Sequence, residues 1–119
     1  AISLLNKGWA SGIGIQLHLH YNGWETMLNR TDKFLDRLRS LGAWARFSEV
    51  GVLAPEPQQS AIYAAMTKLA IKHQAIVRGV IVWGVKDPAW RGDVTLFDSS
   101  GEPKACYDAV MEELSENIQ

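Results

Sequence analysis

GIGIQLHLH, residues 12–20, decides the fold of this chain, because apolar and polar side chains alternate along it. The apolar set falls on one side of an extended chain and comprises Ile13, Ile15, Leu17 and Leu19. The polar set falls on the opposite side and comprises Gln16, His18 and His20. This alternation predicts a β-strand that is buried on one face and polar on the other.

Two further extended segments follow. AWARFSEVGV, residues 43–52, is the second predicted strand, and the LAPEPQ after it, residues 53–58, predicts a loop because it contains Pro55 and Pro57. GVIVWGV, residues 79–85, is apolar on both faces, which is typical of a buried strand in a parallel sheet. A long loop is predicted over residues 86–103.

Helices are predicted between the strands. The apolar residues at helical spacing before Gly42 are Met27, Leu28, Phe34, Leu35, Leu38 and Leu41. The next amphipathic helix ends at about His73 and carries Ile62, Ala65, Met66, Leu69 and Ala70. A closing helix carries Tyr107, Val110, Met111 and Leu114. After the end of a short first helix, strands and helices alternate, which predicts right-handed βαβ units with parallel strands.

This succession fits either a doubly wound sheet or an arc of a (β/α)₈ barrel. No glycine-rich phosphate-binding motif follows any predicted strand, which counts against a nucleotide-binding sheet. Polar or aromatic residues occur instead near the strand ends, namely Gln16 and His18, then Glu49, then Trp83. In a barrel these strand ends open into one mouth, where active sites lie.

Composition limits the classes of function. The 119 residues fit one domain, and a formal net charge of -1 without a basic stripe argues against a nucleic-acid partner. The apolar runs are too short to cross a membrane, and no charged leader with an apolar segment opens the sequence. Cys106 is the single cysteine, so no disulfide can form within the chain. The five Trp suit either sugar rings or packing in the core and loops, and packing in the core or loops is the better interpretation for Trp9, Trp24 and Trp44.

Glu49 is the most informative polar residue. A carboxylate within a predicted buried strand loses hydration unless partners hold it. His18 could donate a hydrogen bond to it, which would orient an ionised nucleophile. The alternative is a strand-end glutamate that reaches solvent or pairs with Arg46 or Arg78.

Two other chemistries are disfavoured. The shared face of Gln16, His18 and His20 suggests a metal site, but one strand supplies too few ligands and no Cys or Asp cluster completes the set. A Ser-His-Asp triad is disfavoured because the sequence has no GxSxG nucleophile elbow. Neither a metal nor another cofactor is predicted.

Four segments together resemble family 10 glycoside hydrolases, which are xylanase-like enzymes. GIGIQLHLH resembles the sixth-strand motif, and FSEVGV, residues 47–52, resembles the nucleophile strand usually written ITELDV. VIVWGVKDPAW, residues 80–90, resembles the eighth-strand WGVSDxxSW, and LFDSSGEPKACYDAVMEEL, residues 96–114, resembles the closing LFDxxxxPKPAYDAV segment. The resemblance covers residues 12–114 and implies a partial (β/α)₈ TIM barrel made of strand-helix units six to eight with parallel strands.

The resemblance also implies roles for individual residues in a retaining endo-β-1,4-xylanase-like site. Glu49 would be the catalytic nucleophile, and His18 would be the hydrogen-bonding neighbour that orients it. Gln16 would contact the sugar, Trp83 and Trp90 would form aromatic walls, and Arg91 follows Trp90 as in the family. The implied ligand is a β-1,4-linked polysaccharide such as xylan, and the implied location is secreted or periplasmic.

Two departures from the family pattern bear on activity. Gly51 stands where the family usually has an aspartate, which loosens the support of Glu49. The family's acid/base glutamate, in an Asn-Glu pair on the fourth strand, would precede residue 1, as would strands one to five. The chain alone is therefore expected to be inactive.

Three strands cannot close a barrel, so we expect self-association or a complementary N-terminal barrel half. Two alternatives stay open at this point. The first is a non-catalytic carbohydrate-binding or structural remnant of such a barrel. The second is an unrelated α/β protein whose motifs agree by coincidence.

Overall fold

A computed structural model describes residues 1–117 of the chain. Its elements, in chain order, are α1 Ile2–Asn6, β1 Gly12–His20, α2 Trp24–Ser40, β2 Trp44–Leu53, α3 Glu56–Lys72, β3 Val77–Val82 and α4 Ala105–Asn117. The three strands form one parallel sheet in the order β1-β2-β3, so each helical crossover joins neighbouring strands. The predicted succession of parallel strand-helix units is confirmed.

The strands lie close to their predicted bounds. β1 has the bounds that its alternation predicts, and β2 lies one residue further along the chain than predicted. β3 begins and ends earlier than predicted, so Trp83 follows the strand directly, with its backbone N–H donating to the carbonyl of Val50 at 2.8 Å. Gly84 then turns the chain away with a φ of 135°, a conformation that favours glycine.

The loop after β2 is shorter than predicted. Only Ala54 and Pro55 separate β2 from α3, because the helix begins at Glu56 and has Pro57 in its first turn. Proline is tolerated there, since the first backbone N–H groups of a helix have no partner within it. The prediction of a loop over residues 53–58 is therefore wrong for its second half.

The helices cover one face of the sheet and form the core with it. The largest fully buried side chains of this core include Leu17, Leu19, Leu35, Leu38, Phe47, Val50, Val52, Ile62, Tyr63 and Met66. Each such side chain contributes about 1.5–3 kcal/mol by leaving water. Cys106 belongs to the same core, as expected of a small apolar residue.

β3 is less buried than its apolar sequence predicts. Among residues 1–117 it pairs only with β2 and is therefore an edge strand, and Val80 and Ile81 are exposed. On its helix side, a groove of about 420 Å³ is lined mainly by apolar residues of α3, β3 and α4. A parallel strand is buried when both its edges and both its faces are covered, and residues 1–117 supply only part of that cover.

Candidate active site

Glu49 lies near the carboxyl end of β2, where two side chains of β1 hold it. Gln16 Nε2 donates to Glu49 Oε1 at 3.0 Å, and His18 Nε2 lies 3.2 Å from Glu49 Oε2. An ionised carboxylate can only accept, so a hydrogen bond from His18 requires its proton on Nε2. The Glu49 side chain is 23% exposed, so its carboxylate is held by both partners and is still open to a ligand.

A β-bulge in β2 places Glu49 on this face of the sheet. Gln16 pairs with Glu49, although the residue before Gln16 pairs with Phe47, so Ser48 is an extra residue in the register. Alternation counted from Phe47, which is fully buried, would direct Glu49 toward the helices. The extra residue directs Glu49 to the polar face of β1 instead.

Two tryptophans flank a depression beside this group. The Trp90 ring meets the His18 ring edge to face, with centroids 4.8 Å apart, and the Arg91 guanidinium lies 4.4 Å from the Trp90 ring centroid. Trp83 and Trp90 line a depression of about 480 Å³ with the turn that joins them, and both side chains are exposed. The structure thus brings Gln16, His18, Glu49 and Trp90 together, while Trp83 and Arg91 extend the site through Trp90.

A buried ion pair that the sequence analysis missed anchors the loop carrying Trp90. Asp87 and Lys104 pair at 2.5 Å, and their side chains are 5% and 4% exposed. Thr95 donates to Asp87 Oδ1 from its backbone N–H at 2.8 Å and from its hydroxyl at 2.9 Å. The signal available in the sequence was a pair of opposite charges at the two ends of the predicted loop over residues 86–103.

Two side chains of α3 donate hydrogen bonds to the backbone of the same loop. Gln59 Nε2 donates to the carbonyls of Val52 and Asp93, and the Tyr63 hydroxyl donates to the carbonyl of Val94. Burial raises the pKa of the Tyr63 phenol, so the hydroxyl stays protonated and donates. These contacts tie the position of Trp90 to the core.

Neither a metal cluster nor a reactive thiol is found among the described residues. No group of three or more His, Cys, Asp or Glu side chains within residues 1–117 could hold a metal ion. Burial raises the pKa of the Cys106 thiol, which disfavours the reactive thiolate. In the same part of the chain, every helix is too short or too polar to cross a membrane.

Known proteins match this chain over nearly all its length. Residues 2–113 match the sequence pattern of glycosyl hydrolase family 10. A bifunctional endo-1,4-beta-xylanase of Ruminococcus flavefaciens is 30% identical over 115 residues, which cover 93% of this chain and 12% of that protein. Endo-1,4-beta-xylanase B of Thermotoga neapolitana is 27% identical, over 91% of this chain and 35% of that protein. The chain therefore spans well under half the length of these curated relatives.

Solved structures match the fold. Xylanase 10B of Thermotoga petrophila, in complex with xylobiose, superposes with a TM-score of 0.85 and 27% identity over 98% of this chain and 40% of that one. Native xylanase 10B of Thermotoga maritima gives a TM-score of 0.83 and 26% identity over 96% of this chain and 40% of that one. Since the family pattern and the fold both match over nearly the whole sequence, this chain belongs to glycosyl hydrolase family 10, of whose (β/α)₈ barrel it forms part.

Proposed function

We propose that this chain supplies the nucleophile half of a retaining endo-β-1,4-xylanase site, with Glu49 as the nucleophile. The observation that carries the proposal is the pair of hydrogen-bonding contacts that hold Glu49 at the end of β2, one to each carboxylate oxygen. Contacts to both oxygens restrict the orientation of the carboxylate, and a nucleophile needs a fixed orientation. The family membership supports glycoside hydrolysis as the chemistry.

The proposed reaction has two steps. A Glu49 oxygen attacks the anomeric carbon, the bond to the leaving-group oxygen breaks, and a glycosyl ester forms on Glu49. Water then attacks the same carbon, and the ester bond breaks to release the sugar with retained configuration. Retaining glycosidases use a second carboxyl group about 5–5.5 Å from the first as acid and then base. Within residues 1–117 no other carboxylate bonds to Gln16 or His18, so we propose that the rest of the barrel supplies it.

The proposed substrate is a β-1,4-xylan. Trp83 and Trp90 present exposed aromatic faces that suit the apolar faces of pyranose rings, and Gln16 offers an amide at the same mouth. One matching structure is a complex with xylobiose and another is a complex with xylohexaose, which supports a xylan-like ligand for this chain. Glycan stacking alone, without hydrolysis, is the alternative that the same tryptophans favour.

Covalent trapping tests the nucleophile. A xyloside with an activated phenol as leaving group needs no acid help, because the phenolate leaves unprotonated. Incubating the chain with this reagent and analysing its peptides by mass spectrometry should reveal one pentosyl ester on Glu49. The Glu49→Gln variant should carry none, and Glu25→Gln, which changes an exposed glutamate of α2, should behave like the unmodified chain. An ester on another residue, or unchanged labelling of Glu49→Gln, would refute the assignment.

Hydrolysis of xylan itself should require the complete barrel. General acid help contributes about 10²- to 10⁴-fold, and expulsion of a sugar alkoxide depends on it. We therefore expect no measurable xylan hydrolysis by the 119-residue chain. A barrel completed by an N-terminal part should hydrolyse xylan with retention. Xylan degradation by the chain alone at ordinary enzyme rates would contradict this division of the site.

A further inference from the structure

His18 uses only one of its two ring nitrogens within the described part of the chain. Nε2 faces Glu49, whereas Nδ1 is buried and has no hydrogen-bond partner among residues 1–117. A buried polar atom without a partner is rare in folded proteins and calls for an explanation. The residue across from His18 on β2 is the nearest place from which a side chain could supply a partner.

Gly51 is the residue that pairs with His18 in the sheet. A Cβ atom added to Gly51 would lie 3.7 Å from His18 Nδ1 and 3.9 Å from Val94, which are ordinary contacts. Gly51 is not one of the glycines with positive φ, so its backbone conformation is open to other residues. Neither backbone geometry nor crowding requires glycine here, although glycine weakens the interior of a strand.

The local hydrogen bonds bear on which ring nitrogens of His18 carry a proton. The donor to Glu49 is Nε2–H, so a neutral ring carries no proton on Nδ1. An imidazolium would add a second N–H, at a buried position without an acceptor among the described residues. Of the two groups that contact the ring, Glu49 lies at Nε2 and Trp90 presents its ring, and no acceptor among the described residues is within hydrogen-bond distance of Nδ1.

We propose that Gly51 is a positioning residue that keeps His18 a neutral imidazole, with its single ring proton on Nε2 and directed at Glu49. The Glu49 carboxylate then accepts from a neutral donor and not from a cation. A carboxylate side chain at position 51 would reach Nδ1, because its Cβ starts 3.7 Å away, and would stabilise a second ring proton. The catalytic meaning of this arrangement rests on the proposed role of Glu49, but the protonation of His18 does not.

Ring-nitrogen NMR of the chain labelled with ¹⁵N-histidine tests the proposal. His20 and His73 are the other histidines, and a His18→Gln variant identifies the His18 signals by their loss. At neutral pH we expect one protonated nitrogen, Nε2, and an unprotonated Nδ1. Gly51→Asp should add a proton at Nδ1, whereas Gly51→Ala, which adds only a Cβ, should not.

Two outcomes would overturn the proposal. The first is an unmodified chain whose His18 carries a proton on Nδ1, and this outcome needs no variant to fold. The second is a folded Gly51→Asp chain with the same His18 spectrum as Gly51→Ala.

The same variants separate this proposal from the proposed function. If Glu49 is not the nucleophile, covalent trapping fails while the His18 spectra still respond to position 51. If Gly51 does not govern His18, the ester still forms on Glu49 while the spectra of the Asp and Ala variants coincide.

Discussion

Replacing Lys104 with methionine should destabilise the chain far more than the same change at Lys72. The Lys104 side chain is 4% exposed, and its ammonium pairs with Asp87 and also donates to the carbonyl of Thr95 at 3.0 Å. Methionine keeps the length of the side chain but leaves Asp87 buried with an uncompensated charge. Removing one partner of a buried ion pair costs about 3–5 kcal/mol, and we expect a loss of that size in the free energy of unfolding. Lys72 is 60% exposed and pairs with Asp32 near solvent, where screening leaves such pairs little effect.

Urea unfolding followed by tryptophan fluorescence measures both variants under identical conditions. The double variant Asp87→Leu with Lys104→Met removes both charges, so it should recover a large part of the loss, since the uncompensated charge is gone. Because this ion pair anchors the loop that carries Trp90, Lys104→Met should also weaken the packing of Trp90 on His18. If Lys104→Met and Lys72→Met unfold within about 1 kcal/mol of each other, the ion pair does not have the role assigned to it.

Three further outcomes are expected. Gly51→Ala should raise the free energy of unfolding by about 0.4–1 kcal/mol, because the backbone admits alanine and the unfolded chain loses freedom; a fall in the urea midpoint would contradict this. Hydrogen bonds from His73 and then Lys72 hold the pKa of Asp32 below its ordinary value of 3.8, so its contribution to stability is present above that pH and is lost as the pH falls further. In a plot of the thermal unfolding midpoint against pH, Asp32→Asn should therefore reduce the fall at acid pH. Equal slopes at acid pH for the variant and the unmodified chain would show that Asp32 does not cause this fall. The unpaired edges of β1 and β3 predict self-association of the chain when the rest of the barrel is absent, and sedimentation showing a stable folded monomer would count against it.

Local periodicity accounts for the elements that the sequence predicted well. β1 was predicted with its observed bounds, because its apolar and polar side chains alternate without interruption. The start of α3 was predicted poorly, because Pro57 has the same local signature in a loop and in the first turn of a helix. The burial of β3 was overestimated, because apolar composition does not show whether neighbouring elements are there to cover a strand.

The candidate site was predicted in its residues but not in its geometry. The resemblance to family 10 singled out Gln16, His18, Glu49, Trp83, Trp90 and Arg91, and their catalytic and binding roles stay predictions. The anchoring of Trp90 through Asp87 and Lys104 was not predicted, since those residues meet across 17 positions of irregular chain. The spacing of apolar residues along the sequence gives no signal for a contact between residues so far apart in an irregular segment.

The sequence by itself determined the order of the strand-helix units, the two faces of β1 and the membership of the family. Only the tertiary structure decided which way Glu49 faces. The alternation of β2 is interrupted at Ser48, and an extra residue can be recognised as a bulge only when the neighbouring strand is paired against it. The surroundings of His18 Nδ1, which has no partner among the described residues, were decided in the same way, because Gly51 faces it from the neighbouring strand, 33 residues further along the chain.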